Sequence, residues 1–148
     1  MRIRGILETC LYVDDLDAAE QFYGSVLGLH VVTRQAGRHV FFRCGDHMLL
    51  IFDPRGVGRA DSETPAHGAH GVSHIAFSVE RDELEAWRRH LADCRIEIEK
   101  VVDWPQGGQS LYFRDPAGNS LELAPVAIWN GLDGAATRQQ QRLAPPSP

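Results

Sequence analysis

At 148 residues and 16.5 kDa the chain has the size of one ordinary domain, enough to bury an apolar core without disulfides or a structural metal. Hydrophobic residues make up 43% and charged residues 24%, which excludes disorder or collagen-like repetition over most of its length. Twenty acidic against fifteen basic residues leave a formal charge of −5, the wrong sign for neutralising phosphates, so nucleic acid is not an expected partner.

In chain order, MRIRGILETCLYVDDL meets acidic residues where a signal peptide would continue its apolar stretch. No run approaches the roughly 18 apolar residues of a membrane span, and a cytoplasmic protein without membrane partners is expected. From Ile6 to Val13, Leu7, Leu11 and Val13 alternate with Glu8, Cys10 and Tyr12, which predicts a strand with two unlike faces. The acidic turn Asp14-Asp15 leads into a helix in which Leu16, Ala19, Phe22, Tyr23, Val26 and Leu27 recur at helical spacing, and Gly28 stands where a left-handed C-terminal residue is wanted. Apolar runs at Leu29–Thr33, His39–Arg43 and His47–Asp53, parted by turn-forming residues, predict three more strands. Residues 55–71 are rich in Gly, Pro and polar side chains and predict an exposed connection.

The order then starts again: a strand at Val72–Val79, a helix at Asp82–Leu91, and strands at Ile96–Val102, Ser110–Arg114 and Leu121–Leu123. FRCGDHMLLIFDP at 42–54 can be laid against FRDPAGNSLELAP at 113–125, an internal repeat. The expected fold class is α+β, with two βαβββ modules in one chain: module one at 1–54 and module two at 72–131. A helix should cover one face of each curved sheet, leaving the concave faces to build a metal-binding cleft. Residues 132–148 lose apolar periodicity and end in prolines, which predicts a flexible tail. Cys10, Cys44 and Cys94, odd in number and without a CxxC pair, are expected as reduced thiols. A homodimer is expected, because paired β-modules need their edges covered.

Strand alternation decides which side chains share a face. If Leu7, Thr9, Leu11 and Val13 meet the helix, Glu8, Cys10 and Tyr12 turn to the cleft. In the second module Ile75, Phe77 and Val79 pack on the helix, while His74, Ala76 and Ser78 turn away from it. Leu121 and Leu123 likewise send Ser120 and Glu122 toward the cleft. Glu8 and His74 are repeat equivalents, and with Glu122 they are expected to converge as one imidazole and two carboxylates. Two carboxylates on an inner sheet face carry a large desolvation cost unless a divalent cation takes them as ligands. One nitrogen and two oxygen donors suit Mn, Ni, Co, Fe or Zn.

The segments ETCLYVDDLDAAEQFYGSVLGL, GVSHIAFSV and SLYFRDPAGNSLEL, in that order within residues 6–125, resemble the vicinal oxygen chelate superfamily. That superfamily includes glyoxalase I, methylmalonyl-CoA epimerase, fosfomycin resistance enzymes, extradiol ring-cleaving dioxygenases and bleomycin-binding proteins. The resemblance implies metal ligation by Glu8, where members commonly have His, by His74 and by Glu122. The first module's counterpart of Glu122 falls at Leu49 or Leu50, neither of which binds metal. Three protein ligands therefore stand in place of the four of glyoxalase I, leaving an open coordination sphere for a small-molecule substrate that chelates through adjacent oxygens. The set also departs from the two-His-one-carboxylate triad of the ring-cleaving dioxygenases, although Tyr112, ten residues before Glu122, stands where those enzymes place an active-site tyrosine. The implied activity is glyoxalase-like isomerase, epimerase or lyase/transferase chemistry, with Glu8 or Glu122 moving a proton and Tyr112 a further catalytic candidate. The alternatives are an extradiol-type dioxygenase and a non-catalytic drug- or metabolite-sequestering protein of the bleomycin resistance type.

Each of these residues also has an ordinary explanation. Glu8 can pair with Arg2, Arg4 or Arg114, and His74 can be a hydrogen-bonded core histidine. His67 and His70 are loop histidines, and Tyr12, Tyr112 and Trp104 can be packing residues. Asp115–Asn119 is accounted for by turn chemistry, and Cys10 by an inert buried thiol.

Overall fold

A computed structural model of the protein describes residues 2, 5–57, 67–69, 71–105 and 107–129. Most of the expected connection and the whole of the expected tail lie outside these residues. Among the described residues no helix is long and apolar enough to cross a membrane.

The repeat is realised as two curved four-stranded sheets of identical topology. β1 (Glu8–Tyr12), β2 (His30–Gln35), β3 (His39–Cys44) and β4 (His47–Phe52) lie in the order β1-β4-β3-β2. β1 runs parallel to β4, and the other pairs are antiparallel. β5 (His74–Ser78), β6 (Lys100–Asp103), β7 (Gln109–Arg114) and β8 (Ser120–Ala124) repeat this as β5-β8-β7-β6, with β5 parallel to β8. The strand-one equivalents, β1 and β5, are therefore both sheet edges.

The first helix departs from a single amphipathic run. Asp15 caps α1 (Leu16–Gln21), its Oδ1 accepting from the Asp17 and Ala18 amides at 3.0 and 2.9 Å. Phe22–Val26 then widens into a π-helical turn, where the Leu27 amide reaches back to the Phe22 carbonyl. The consecutive rings of Phe22 and Tyr23 at the start of this turn both enter the core. Gly28 ends the segment at φ +67°, as the sequence predicts. α2 (Leu84–Asp93) buries Leu84 and Leu91 in the second module.

Two strand boundaries differ from the periodicity. Ile6 and Leu7 are 75% and 73% exposed and precede β1, and Thr9 is also exposed. The predicted strand at Ile96–Val102 shortens to β6, since the Ile96 amide is used to close α2 on the Leu91 carbonyl.

Alternation places Leu11, Val40, Phe42, Leu49 and Ile51 on one face of the first sheet, and Leu111, Phe113, Leu121 and Leu123 on one face of the second. These faces share one core. Phe22 reaches Phe113 with ring centroids 6.5 Å apart, and Tyr23 lies 5.7 Å from Phe42. His90 of α2 also meets the Val26 carbonyl through Nε2 at 2.7 Å. The faces that carry Glu8 and Glu122 accordingly point away from the shared core.

Candidate metal centre

Glu122 sits in the middle of β8, opposite Ala76 of β5 and Tyr112 of β7. It is only 5% exposed, so its carboxylate needs partners. Oε1 accepts from the hydroxyl of fully buried Ser110, which in turn accepts the Trp104 indole N–H at 2.7 Å. Oε2 faces His74 Nε2 at 3.3 Å.

The other imidazole nitrogen decides what that approach means. His74 Nδ1 lies 3.1 Å from the Ser120 carbonyl, which only accepts, so Nδ1 carries a proton. In neutral His74 the Nε2 lone pair then points at a carboxylate oxygen, and two acceptors face each other. A proton or a cation between them resolves the conflict. The second ring nitrogen held by a backbone carbonyl is also how metal-binding histidines are oriented.

Tyr112 stacks on His74, with ring centroids 6.1 Å apart. Burial first, then the neighbouring Glu122 carboxylate, push the Tyr112 hydroxyl above its ordinary value. Tyr112 thus joins His74 and Glu122, as does Trp104, through Ser110.

A local network holds the strands that carry His74 and Glu122 in register. In the Asp115–Asn119 turn, Asp115 Oδ1 accepts from the Ala117 and Asn119 amides, and Oδ2 accepts from Asn119 Nδ2 and from the Tyr23 hydroxyl at 2.9 Å. Asn119 Oδ1 accepts the Ser73 amide, and the Ser120 amide bonds the Ser73 carbonyl. The turn chemistry foreseen from the sequence is present, and it also fixes the start of β5 beside β8 and ties the second module to Tyr23 of the first. Burial, followed by the charge and hydrogen bond of Asp115, raises the Tyr23 hydroxyl far above its ordinary value.

Glu8 lies elsewhere, exposed at the start of edge strand β1 and paired with Met48. Among the described residues no group of three or more His, Cys, Asp or Glu side chains could hold a metal ion. The convergence of Glu8 with His74 and Glu122 expected from strand alternation is thus not present within one chain, because the two sheets join through their helix-covered faces. Arg114, one of the arginines considered for Glu8, is engaged by both carboxylate oxygens of Glu99 at 2.7 and 2.9 Å.

The register also settles the first module's counterpart of Glu122. Leu50 pairs with Cys10 and Phe41 as Glu122 pairs with Ala76 and Tyr112, whereas Leu49 lies in the core. Cys10, Cys44 and Cys94 are free thiols, and burial followed by the Glu8 charge raises that of Cys10. His67 Nδ1 lies 2.6 Å from the Tyr12 hydroxyl, over the end of β1 remote from Glu8, and His70 lies outside the described residues. Ser110 escaped the sequence reading. Its one signal is polarity two positions before Tyr112 on the same strand face.

The family profile for the Glyoxalase/Bleomycin resistance protein/Dioxygenase superfamily matches residues 5–123. A crystal structure of lactoylglutathione lyase from Agrobacterium tumefaciens is 44% identical and superposes with a TM-score of 0.83, over 87% of this chain and 98% of that one. Metallothiol transferase FosB from Staphylococcus epidermidis is 26% identical over 125 residues, which span 83% of this chain and 82% of the relative. The FosB of Bacillus licheniformis is 26% identical over 132 residues, spanning 88% and 81%.

Proposed function

The chain belongs to the glyoxalase, bleomycin resistance protein and dioxygenase superfamily, and within it we propose a divalent-metal enzyme that moves a proton on a small molecule chelating through adjacent oxygens. The observation that carries this reading is the facing pair of His74 Nε2 and Glu122 Oε2, with the second donor atom of each side chain already anchored. This donor set fits a borderline divalent cation. The similarity to a lactoylglutathione lyase over nearly its whole length favours lyase or isomerase chemistry over the thiol transfer named for the more distant relatives.

Glu8 completes the set when supplied by a second copy. Both β1 and β5 are sheet edges, and Ile6, Leu7 and Val72 beside them are exposed apolar residues that association would cover. A homodimer that brings β1 of one copy to β5 and β8 of the other unites the three ligands. A bound divalent ion would polarise the substrate oxygens and make the neighbouring carbon acid easier to deprotonate. Glu122 is buried and fixed at Oε1 by the Ser110 hydroxyl, so it orients rather than carries protons. Glu8, exposed at a strand end, has the freedom to act as the base. Tyr112, stacked on His74, would bring its hydroxyl beside the His74–Glu122 pair as a hydrogen-bond donor to the substrate.

Elemental analysis of untagged protein tests the reading: the parent should hold close to one equivalent of transition metal per chain, and Glu122→Gln little. Equal metal in both would remove Glu122 from the centre. Tyr112 stacked on His74 is the feature that favours a ring-cleaving dioxygenase instead, and oxygen uptake by Fe(II)-loaded protein across a catechol panel would establish that alternative.

A further inference from the structure

Glu122 owes its direction to a side chain that lies outside the strands. The loop between β6 and β7, residues 104–108, carries Trp104, whose indole N–H reaches Ser110 Oγ at 2.7 Å. Ser110 is fully buried, and its hydroxyl has one proton to give. An indole only donates, so Ser110 accepts there and its own proton is left for Glu122 Oε1. The bonds run one way, from indole to hydroxyl to carboxylate, and they leave Oε2 facing His74.

The loop is braced where it carries that indole. The Trp104 amide donates to the Gly108 carbonyl at 3.1 Å, and the Gly107 amide donates to the Trp104 carbonyl at 2.8 Å. Gly107 and Gly108 have φ values of +99° and +98°, which a side chain would strain. A Cβ at Gly108 would also lie 3.0 Å from Pro125 Cγ, so the loop backs onto the residue that follows β8. On the other flank Gln109 donates to Asp103 at 2.7 Å and accepts from Arg88 of α2 at 3.0 Å. Trp104 itself is half-buried and lines an open cleft of about 460 Å³ between this loop and the start of α2, so core filling does not account for it.

The first module supplies the comparison. Leu50 stands opposite Phe41 as Glu122 stands opposite Tyr112, and His39, two residues before Phe41, takes the place of Ser110. The loop there is Ala36-Gly37-Arg38, shorter and without a tryptophan. The buried hydroxyl, the longer loop and the indole thus occur together, in the module that has a carboxylate to orient.

We infer that Trp104 is a positioning residue of the metal centre: through Ser110 it fixes the Glu122 side chain, and with it the aim of Oε2 at His74. Trp104 touches neither metal nor substrate in this role. The inference rests on the reading of His74 and Glu122 as metal ligands.

The test is a double-mutant cycle on the full-length protein, with Co(II) affinity measured by competition with a chelating dye and folding checked by circular dichroism. Trp104→Phe keeps an aromatic ring and removes the N–H. It should weaken Co(II) binding about fivefold or more in the parent, yet leave it within about twofold in a Ser110→Ala background, where the bond to Ser110 is already gone. Gly108→Ala shifts the loop without altering the indole, and it should act in the same way, again only while Ser110 is present. A folded Trp104→Phe protein with the parent's affinity overturns the inference. Equal losses in both backgrounds overturn it as well, because Trp104 would then act through stability rather than through Ser110. If Trp104→Phe does not fold, the Gly108→Ala pair decides by the same criteria. A parent that takes up no cobalt defeats the metal reading itself, and the inference falls with it.

Discussion

Ser110→Ala probes the anchoring of Glu122 most sharply, because one hydroxyl serves two partners there. It donates to Glu122 Oε1 and accepts the Trp104 indole N–H at 2.7 Å, in a position without solvent access. A hydrogen bond to a charged acceptor contributes about 1.5–3 kcal/mol, and a buried carboxylate that loses it cannot turn to water instead. Trp104 is half-buried and can rehydrate, so its lost bond adds at most about 1 kcal/mol. The metal-free variant should therefore unfold in urea with stability lower by about 2–3 kcal/mol. The same change frees the carboxylate to rotate away from His74, and loss of such an outer partner lowers metal affinity about 10- to 100-fold. Competition for Co(II) with a chelating dye, on protein shown by circular dichroism to be folded, measures this directly. A folded variant whose cobalt dissociation constant stays within about twofold of the parent's would refute the claim that Ser110 orients the ligand.

Two further predictions concern what holds the site in place. Tyr23→Phe removes the bond from the first module to Asp115, which retains its Ala117 and Asn119 donors. Urea unfolding should show a loss of about 1.5–2 kcal/mol, whereas an unchanged midpoint would mean the tie between modules is energetically idle. Asp53, at the end of β4, is held below the usual carboxylate range chiefly by its side-chain hydrogen bonds from Arg55. A depressed folded-state value contributes stability that is complete above about pH 4 and is lost as pH falls through the folded value. Arg55→Gln should therefore lose stability at neutral pH and show a shallower decline between pH 6 and 3, and a slope equal to the parent's would discount the pair.

The residues that follow a simple period were legible, and those that depend on a change of period were not. Alternation in β1, β5 and β8 correctly separated Glu8, His74 and Glu122 from the apolar side, because one face of each sheet is buried and fixes the register. The same rule could not choose between Leu49 and Leu50 as the counterpart of Glu122, since the gap in the turn shifts the frame by one residue; only the hydrogen-bond register selects Leu50. Nor does periodicity announce the π-helical turn at Phe22–Val26, where two adjacent rings are both drawn into the core. Placing Glu8 within reach of His74 assumed that the concave faces meet inside one chain. The modules join instead through Phe22, Tyr23 and Phe113, a tertiary choice that no local pattern encodes. Ser110 illustrates a further limit: a serine in a strand reads as ordinary until the carboxylate beside it is known to be buried.

Subunit mixing tests the shared metal centre most directly. Glu8→Ala and His74→Ala variants are purified separately, unfolded and refolded together, and assayed for bound Co(II) after removal of free metal. A centre that takes Glu8 from one copy and His74 with Glu122 from the other should leave each variant alone nearly metal-free. The mixture should regain about one site in four, since half of the random dimers carry one intact set. A mixture as empty as its two components would contradict a centre shared between chains.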